Sequence, residues 1–189
     1  MPALHPEFLI AEAQLLDELA GVESDSQSLI FRRRNIPGGQ RFVFRLRSTK
    51  LQGDALKRVQ ASLAAIRNTN QNLTVRVPVY SDSVVTTRTT SAAAGIGATT
   101  VNLATANGDE VGQYFTFANH TKAYQVTDVN TTTKVITFYP NLVYPVSSAT
   151  VLTFNNMVFT GKIRGRAQAF TLSGSNNAAE LEIDFVETK

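Results

Sequence analysis

Three carboxylates stand at alternate positions near the end of the chain, Glu180, Glu182 and Asp184, and they are its nearest approach to an acid–base constellation. General acid–base catalysis needs two such groups converging on one reacting centre with their pKa values pushed apart. An i, i+2 spacing is instead what any exposed strand face displays. An arginine row has the same layout with opposite sign: Arg41, Arg45 and Arg47 share a face, and Phe42, Phe44 and Leu46 point the other way. A third charged group is the consecutive run Arg32, Arg33 and Arg34. The chemistry open to these residues is ion pairing, within the chain or between copies of it, and they form the candidate subunit interface. If the strands carrying the two rows are neighbours, cross-strand pairs add about 0.2–1 kcal/mol each. An ordinary solvated sheet face and a face used between subunits are both open on this pattern.

Other chemistry has little to work with. The two histidines are His5, beside prolines near the start, and His120, in an expected turn. A nucleophile–base arrangement would need one of them to meet a serine from elsewhere in the fold. There is no cysteine, no paired histidine and no Asp-rich loop, so neither a metal nor a cofactor is expected. The chain is read as a non-enzyme.

Strands must position most of these groups. Residues 41–47 and 179–186 alternate cleanly, with Leu181, Ile183 and Phe185 opposite the three carboxylates. Residues 29–34 read as a further strand, followed by a turn at 35–39, and 73–79 as another that ends near Pro78. Between them the period changes. Leu56, Val59, Leu63 and Ile66 recur at spacings of three and four, which predicts an amphipathic helix over 54–67. A short helix is also expected over 6–19, then a polar break at 22–28. After residue 157 a strand, a turn around Gly165, a second strand over 168–172 and a turn at 173–177 lead into the last strand.

Charge is unevenly distributed along the 189 residues, whose net charge is +3. The first thirty residues carry Glu7, Glu12, Asp17, Glu18, Glu23 and Asp25 with no lysine or arginine, whereas residues 31–67 hold ten Lys or Arg and only Asp54 as an acid. Such a split fits a contact within the chain, between copies, or with nucleic acid. Between 86 and 154 charge nearly vanishes, and the segment has strand and turn signals of its own: 99–103, a turn at 107–109, 114–117, 124–129 and 135–139. It reads as a small closed barrel, OB-like or SH3-like, inserted into the outer module. Insertions succeed at exposed loops whose ends lie close together, so 80–87 should return near 155–158. The fold class expected is therefore mainly β: a β-sandwich with one packed helix, formed by 1–85 and 156–189, carrying an OB-like barrel at 86–155.

The chain also resembles a known family, the distal tail proteins of long-tailed bacteriophages (siphoviruses), in the type that carries an inserted OB-like barrel. The resemblance lies in the order of motifs over residues 29–187. It rests on Gly39-Gln40-Arg41-Phe42-Val43-Phe44, on Leu73-Thr74-Val75-Arg76-Val77-Pro78-Val79-Tyr80, and in the insert on Gly112-Gln113-Tyr114-Phe115-Thr116-Phe117, Lys122-Ala123-Tyr124-Gln125-Val126-Thr127 and Ile136-Thr137-Phe138-Tyr139-Pro140-Asn141-Leu142, followed by the re-entry Asn155-Asn156-Met157-Val158-Phe159. It implies a structural virion protein at the tail tip, made in the bacterial cytoplasm, whose outer module forms a homo-hexameric ring. Its partners would be the tail tube protein, the hub or tip proteins and tail fibres. Relatives often have tryptophan in the Gln-aromatic strand, and this chain has none.

A ring is built from heterologous interfaces, so acidic and basic surfaces on one chain can complement each other around the circle. On this reading Arg32, Arg33 and Arg34 face carboxylates such as Glu180, Glu182 and Asp184 of a neighbour. Two alternatives belong to other classes. Single-stranded nucleic acid would need stacked aromatics joined to a basic groove, yet the insert holds only Arg88, Lys122 and Lys134 as cations. A host-surface carbohydrate would need exposed tyrosines on the barrel, such as Tyr144 or Tyr80. No stretch approaches the ~18 apolar residues of a membrane span, and no membrane partner is expected.

Overall fold

The computed structural model describes residues 3–19, 21–25, 31–35, 39–77, 87–105, 108, 110–155, 157–173 and 178–188. The chain is mainly β, with two large antiparallel sheets and one helix among these residues, the class that its period-2 alternation predicts. It divides into two compact units: Met1–Leu16, Phe42–Val77 and Val158–Thr188 form the first, and Asp17–Arg41 with Pro78–Met157 the second, to which Lys189 is also assigned. The second unit thus takes in residues 17–41 as well as the inserted segment.

In chain order the strands before the helix are β1 (Ile10–Glu18), β2 (Gly21–Asp25), β3 (Phe31–Asn35), β4 (Arg41–Ser48) and β5 (Leu51–Gln52). The helix α1 (Gly53–Thr69) follows, then β6 (Leu73–Val75), β7 (Thr87–Thr89), β8 (Thr100–Asn102), β9 (Tyr114–Phe117), β10 (Ala123–Asn130), β11 (Val135–Tyr139) and β12 (Val151–Thr153). Two long strands, β13 (Phe159–Ser173) and β14 (Ala178–Glu187), complete the chain.

The first sheet runs β1-β4-β14-β13-β6, with β5 also paired to β14. Its buried face is the apolar alternation itself. Phe44 lies opposite Phe185 and Leu46 opposite Ile183, and the Phe44 ring meets Phe159 edge-on at 4.4 Å between centroids. The helix packs on β5 and β14. It buries Leu56, Val59, Leu63 and Ile66, the four positions that its 3.6-residue period selects, each contributing about 1.5–3 kcal/mol. Asn70 in the left-handed conformation (φ 49°) ends it. β6 pairs with β13, Val75 opposite Phe159. The two strands that flank the inserted segment are therefore neighbours, and the insert occupies the place of a hairpin loop.

Three elements differ from the sequence reading. Residues 10–18 form a strand instead of a helix. Leu9 and Leu16 are exposed, so the leucines make no buried helical stripe, while half-buried Ala13 and Leu15 alternate with exposed Glu12 and Gln14. The open edge of β4 gives that segment a hydrogen-bonding partner that a helix would not use. The polar break at 22–28 contributes β2, which pairs with β3. The expected turn at Gly165 is a kink inside one continuous strand: the β13–β14 register shifts between Arg164 and Ala169, and Gly165 sits at φ 94°, where a glycine bends a strand without reversing it.

In the second unit the sheet runs β7-β12-β9-β10-β11-β8 and closes on itself. Thr90, just after β7, bridges Leu103, just after β8, and the Ser91 and Ala104 amides donate across the seam to the Asn102 and Thr89 carbonyls at 2.9 Å each. The product is a small closed antiparallel barrel of six described strands, one more than the five of an OB barrel. Its core is aromatic. Phe115, Phe117, Tyr124, Phe138 and Phe154 are all at most 2% exposed and pack edge-to-face or offset, arrangements that favour aromatic pairs.

Candidate functional site

Alternation that buries Phe42, Phe44 and Leu46 must present Arg45 and Arg47 on the opposite face, and the antiparallel register sets Arg45 against Asp184 and Arg47 against Glu182. The Arg45 Nε lies 3.3 Å from both Asp184 Oδ1 and Glu182 Oε1. Arg47 reaches diagonally to Glu180, its Nε donating to Oε2 at 2.9 Å, and also lies 3.8 Å from Glu12 on β1. The Glu180 carboxylate, hydrogen-bonded to it, holds the Arg47 guanidinium above its ordinary pKa, with smaller help from Glu12 and Glu182.

The structure thus brings together five of the nine candidate interface residues, Arg45, Arg47, Glu180, Glu182 and Asp184, as partners of one another within the chain. Arg164 of β13 stands in register with Asp184 on the other side of β14, so the described charges on this face are of both signs. The face is also open, since Arg45 and Glu182 are each about half exposed, 49% and 50%. Arg41 is engaged elsewhere, its Nε donating to Glu18 Oε2 at 3.0 Å. Arg32, Arg33 and Arg34 lie on β3, in register with Ser24, Glu23 and Val22 of β2; their side chains lie outside the described residues. Part of the charge split along the chain is therefore a strand pairing, with Glu23 across from Arg33.

Sequence reasoning missed a buried polar relay. Lys122 is 1% exposed, and its ammonium donates to Gln40 Oε1 at 2.7 Å. The Gln40 amide in turn donates to Asp17 Oδ1 at 2.6 Å. Lys122 was read as one of the few cations available to a barrel surface, and its burial removes it from that surface. A lysine flanked by Tyr124 and other core positions carries no local signal of this.

His120 also has a structural setting. Its Nε2 lies 2.9 Å from the Tyr124 hydroxyl, which accepts the Val143 amide at 3.2 Å, and its Nδ1 lies 2.9 Å from Asn119 Oδ1. The Asn119 amide continues to the Pro145 carbonyl at 2.9 Å. A neutral imidazole protonated at Nδ1 satisfies the whole chain, donating to Asn119 and accepting from Tyr124. Burial, aided by the Lys122 charge, lowers its pKa to about 4. Tyr144, 41% exposed, packs against this histidine at 5.4 Å; Tyr80 lies outside the described residues. Among the described residues no group of three His, Cys, Asp or Glu is placed to hold a metal ion, and no helix is long and apolar enough to cross a membrane.

The sequence matches no model of a known protein family and no curated protein.

Proposed function

We propose that the protein is a structural component of a phage tail, a distal tail protein whose discontinuous outer module assembles into a hexameric ring joining the tail tube to the tip hub. The observation that carries this reading is the way the barrel is hung: β6 and β13 pair directly, so a complete second module occupies a loop of the first without interrupting its sheet. Such a chain acts through geometry. Charge supports the same reading, because exposed carboxylates line the open β4–β14 face, while β3 carries three consecutive arginines. Opposite surfaces of this kind can meet around a closed ring.

The test is the native mass by light scattering at low and high salt, for the wild-type chain and for Arg33→Glu. The reading expects a hexamer that salt loosens and that Arg33→Glu disrupts while its melting temperature stays close to wild type. A monomer at every salt concentration, even with tail tube protein added, would sink it. The nucleic-acid alternative loses support from the burial of Phe115, Phe117, Tyr124, Phe138 and Phe154, which are closed to stacking bases. The carbohydrate alternative keeps one observation in its favour, the exposed Tyr144 ring; cell binding unchanged after Tyr144→Ala would count against it.

A further inference from the structure

An open cleft of about 520 Å³ lies in the first unit, between the end of α1 and the middle of β13. Its described polar lining comes from Arg67, Asn68, Asn70 and Gln71 at the helix end and from Lys162 on β13, with Ile66 and Ile163 also lining it. No carboxylate is among the described lining residues. Arg67 is committed to the helix end, where it neutralises the negative pole of the last turn and donates to the Gly165 carbonyl at 3.4 Å. Lys162 has no such duty. It is half-buried and its ammonium makes no hydrogen bond or ion pair with the described residues, and the side-chain amides of Asn68, Asn70 and Gln71 are likewise unpaired among them.

We propose that this cleft is a docking site for an acidic peptide segment, with Lys162 pairing an Asp or Glu carboxylate and the three amides bonding the peptide groups on either side of it. The charge of the lining selects an anion, and amide side chains both donate and accept, which matches a peptide backbone. A volume in the range of ordinary ligand clefts accommodates a few residues. No aromatic ring is among the described lining residues, so they offer no flat apolar platform on which a sugar ring could stack. The site does not depend on the ring assignment, since any acidic partner strand would fit it.

The experiment is fluorescence polarisation of a labelled hexaglutamate peptide on the full chain, comparing wild type with Lys162→Gln and with Lys50→Gln, an exposed lysine whose loss changes the net charge equally. Saturable binding that Lys162→Gln weakens about tenfold, as expected for loss of one partly exposed charge-assisted contact, and that Lys50→Gln changes less than twofold, supports the site. Gln71→Ala, exposed and not part of the core, should weaken it by a smaller factor. Equal losses from the two lysine variants, or no saturable binding at millimolar peptide, overturn it. Displacement of the peptide by inorganic phosphate or glucuronate more readily than by glutarate overturns the peptide assignment.

Discussion

Gly161 is a tightly constrained glycine of the first sheet, and replacing it by alanine tests how that sheet is assembled. It lies on β13 between Glu187 of β14 and Leu73 of β6. A Cβ built there would stand 2.1 Å from the Val186 carbonyl oxygen, 2.7 Å from its carbon and 2.8 Å from the Phe185 ring. The first two are backbone atoms of a central strand, so they cannot turn aside as a flexible side chain would. Relief requires β13 to move by about 1 Å from β14, which strains the pairing on both sides and opens the packing of Phe185 and Phe159. Overpacking of this kind costs about 1–3 kcal/mol where side chains can adjust, and a backbone clash belongs above that range, at about 3–5 kcal/mol. For a unit of this size each kcal/mol lowers Tm by roughly 4–8 °C, so a fall of at least about 12 °C is expected. Calorimetry gives the shift, and hydrogen exchange by mass spectrometry locates it: protection should be lost in β13, β14 and β4 and kept in the barrel strands β9–β11. A Gly161→Ala protein within about 1 kcal/mol of wild type, with unchanged exchange in β14, would refute the argument that backbone proximity fixes this position.

Two further outcomes follow from the charged groups. In a double-mutant cycle of Arg45→Gln and Asp184→Asn, read by urea unfolding, the coupling should be about 0.2–1 kcal/mol and should shrink in 1 M salt, because the pair is exposed and Glu182 shares the guanidinium; a coupling above about 2 kcal/mol would mean that the face is covered in solution. For His120 the folded pKa of about 4 lies below the ordinary 6.5, so the unfolded chain binds the extra proton first as pH falls. The stability contributed by the neutral imidazole is full above pH 6.5 and is lost between pH 6.5 and 4. With the histidine partly exposed, the loss is of order 1–2 kcal/mol after screening is allowed for. Urea midpoints of the barrel at pH 7 and pH 4.5 measure it, and His120→Gln should flatten the difference; an equal pH dependence in that variant would remove His120 as the cause.

How much of this was legible in the sequence depends on how local each signal is. Side-chain alternation is a property of the chain alone, so β4, β9, β11, β14 and the buried stripe of α1 could be read from single segments, and the mainly β class with them. The pairing of Arg45 with Asp184 could only be posed as a condition, because the residues are 139 positions apart and nothing in either strand states its register. Where propensity is weak, the partner decides. Residues 10–18 became a strand because β4 offered an edge, and β2, β7 and β12 are short segments whose hydrogen bonds, and hence their existence as strands, come from distant neighbours. Lys122 shows the same limit in the site: its charge was visible at once, but its burial against Gln40 and Asp17 depends on three distant parts of the chain meeting. The sequence by itself determined which residues face in and which face out; only the tertiary structure decided which outward charges meet, because that depends on register and strand order, which are set by the burial of whole faces and not by any one strand.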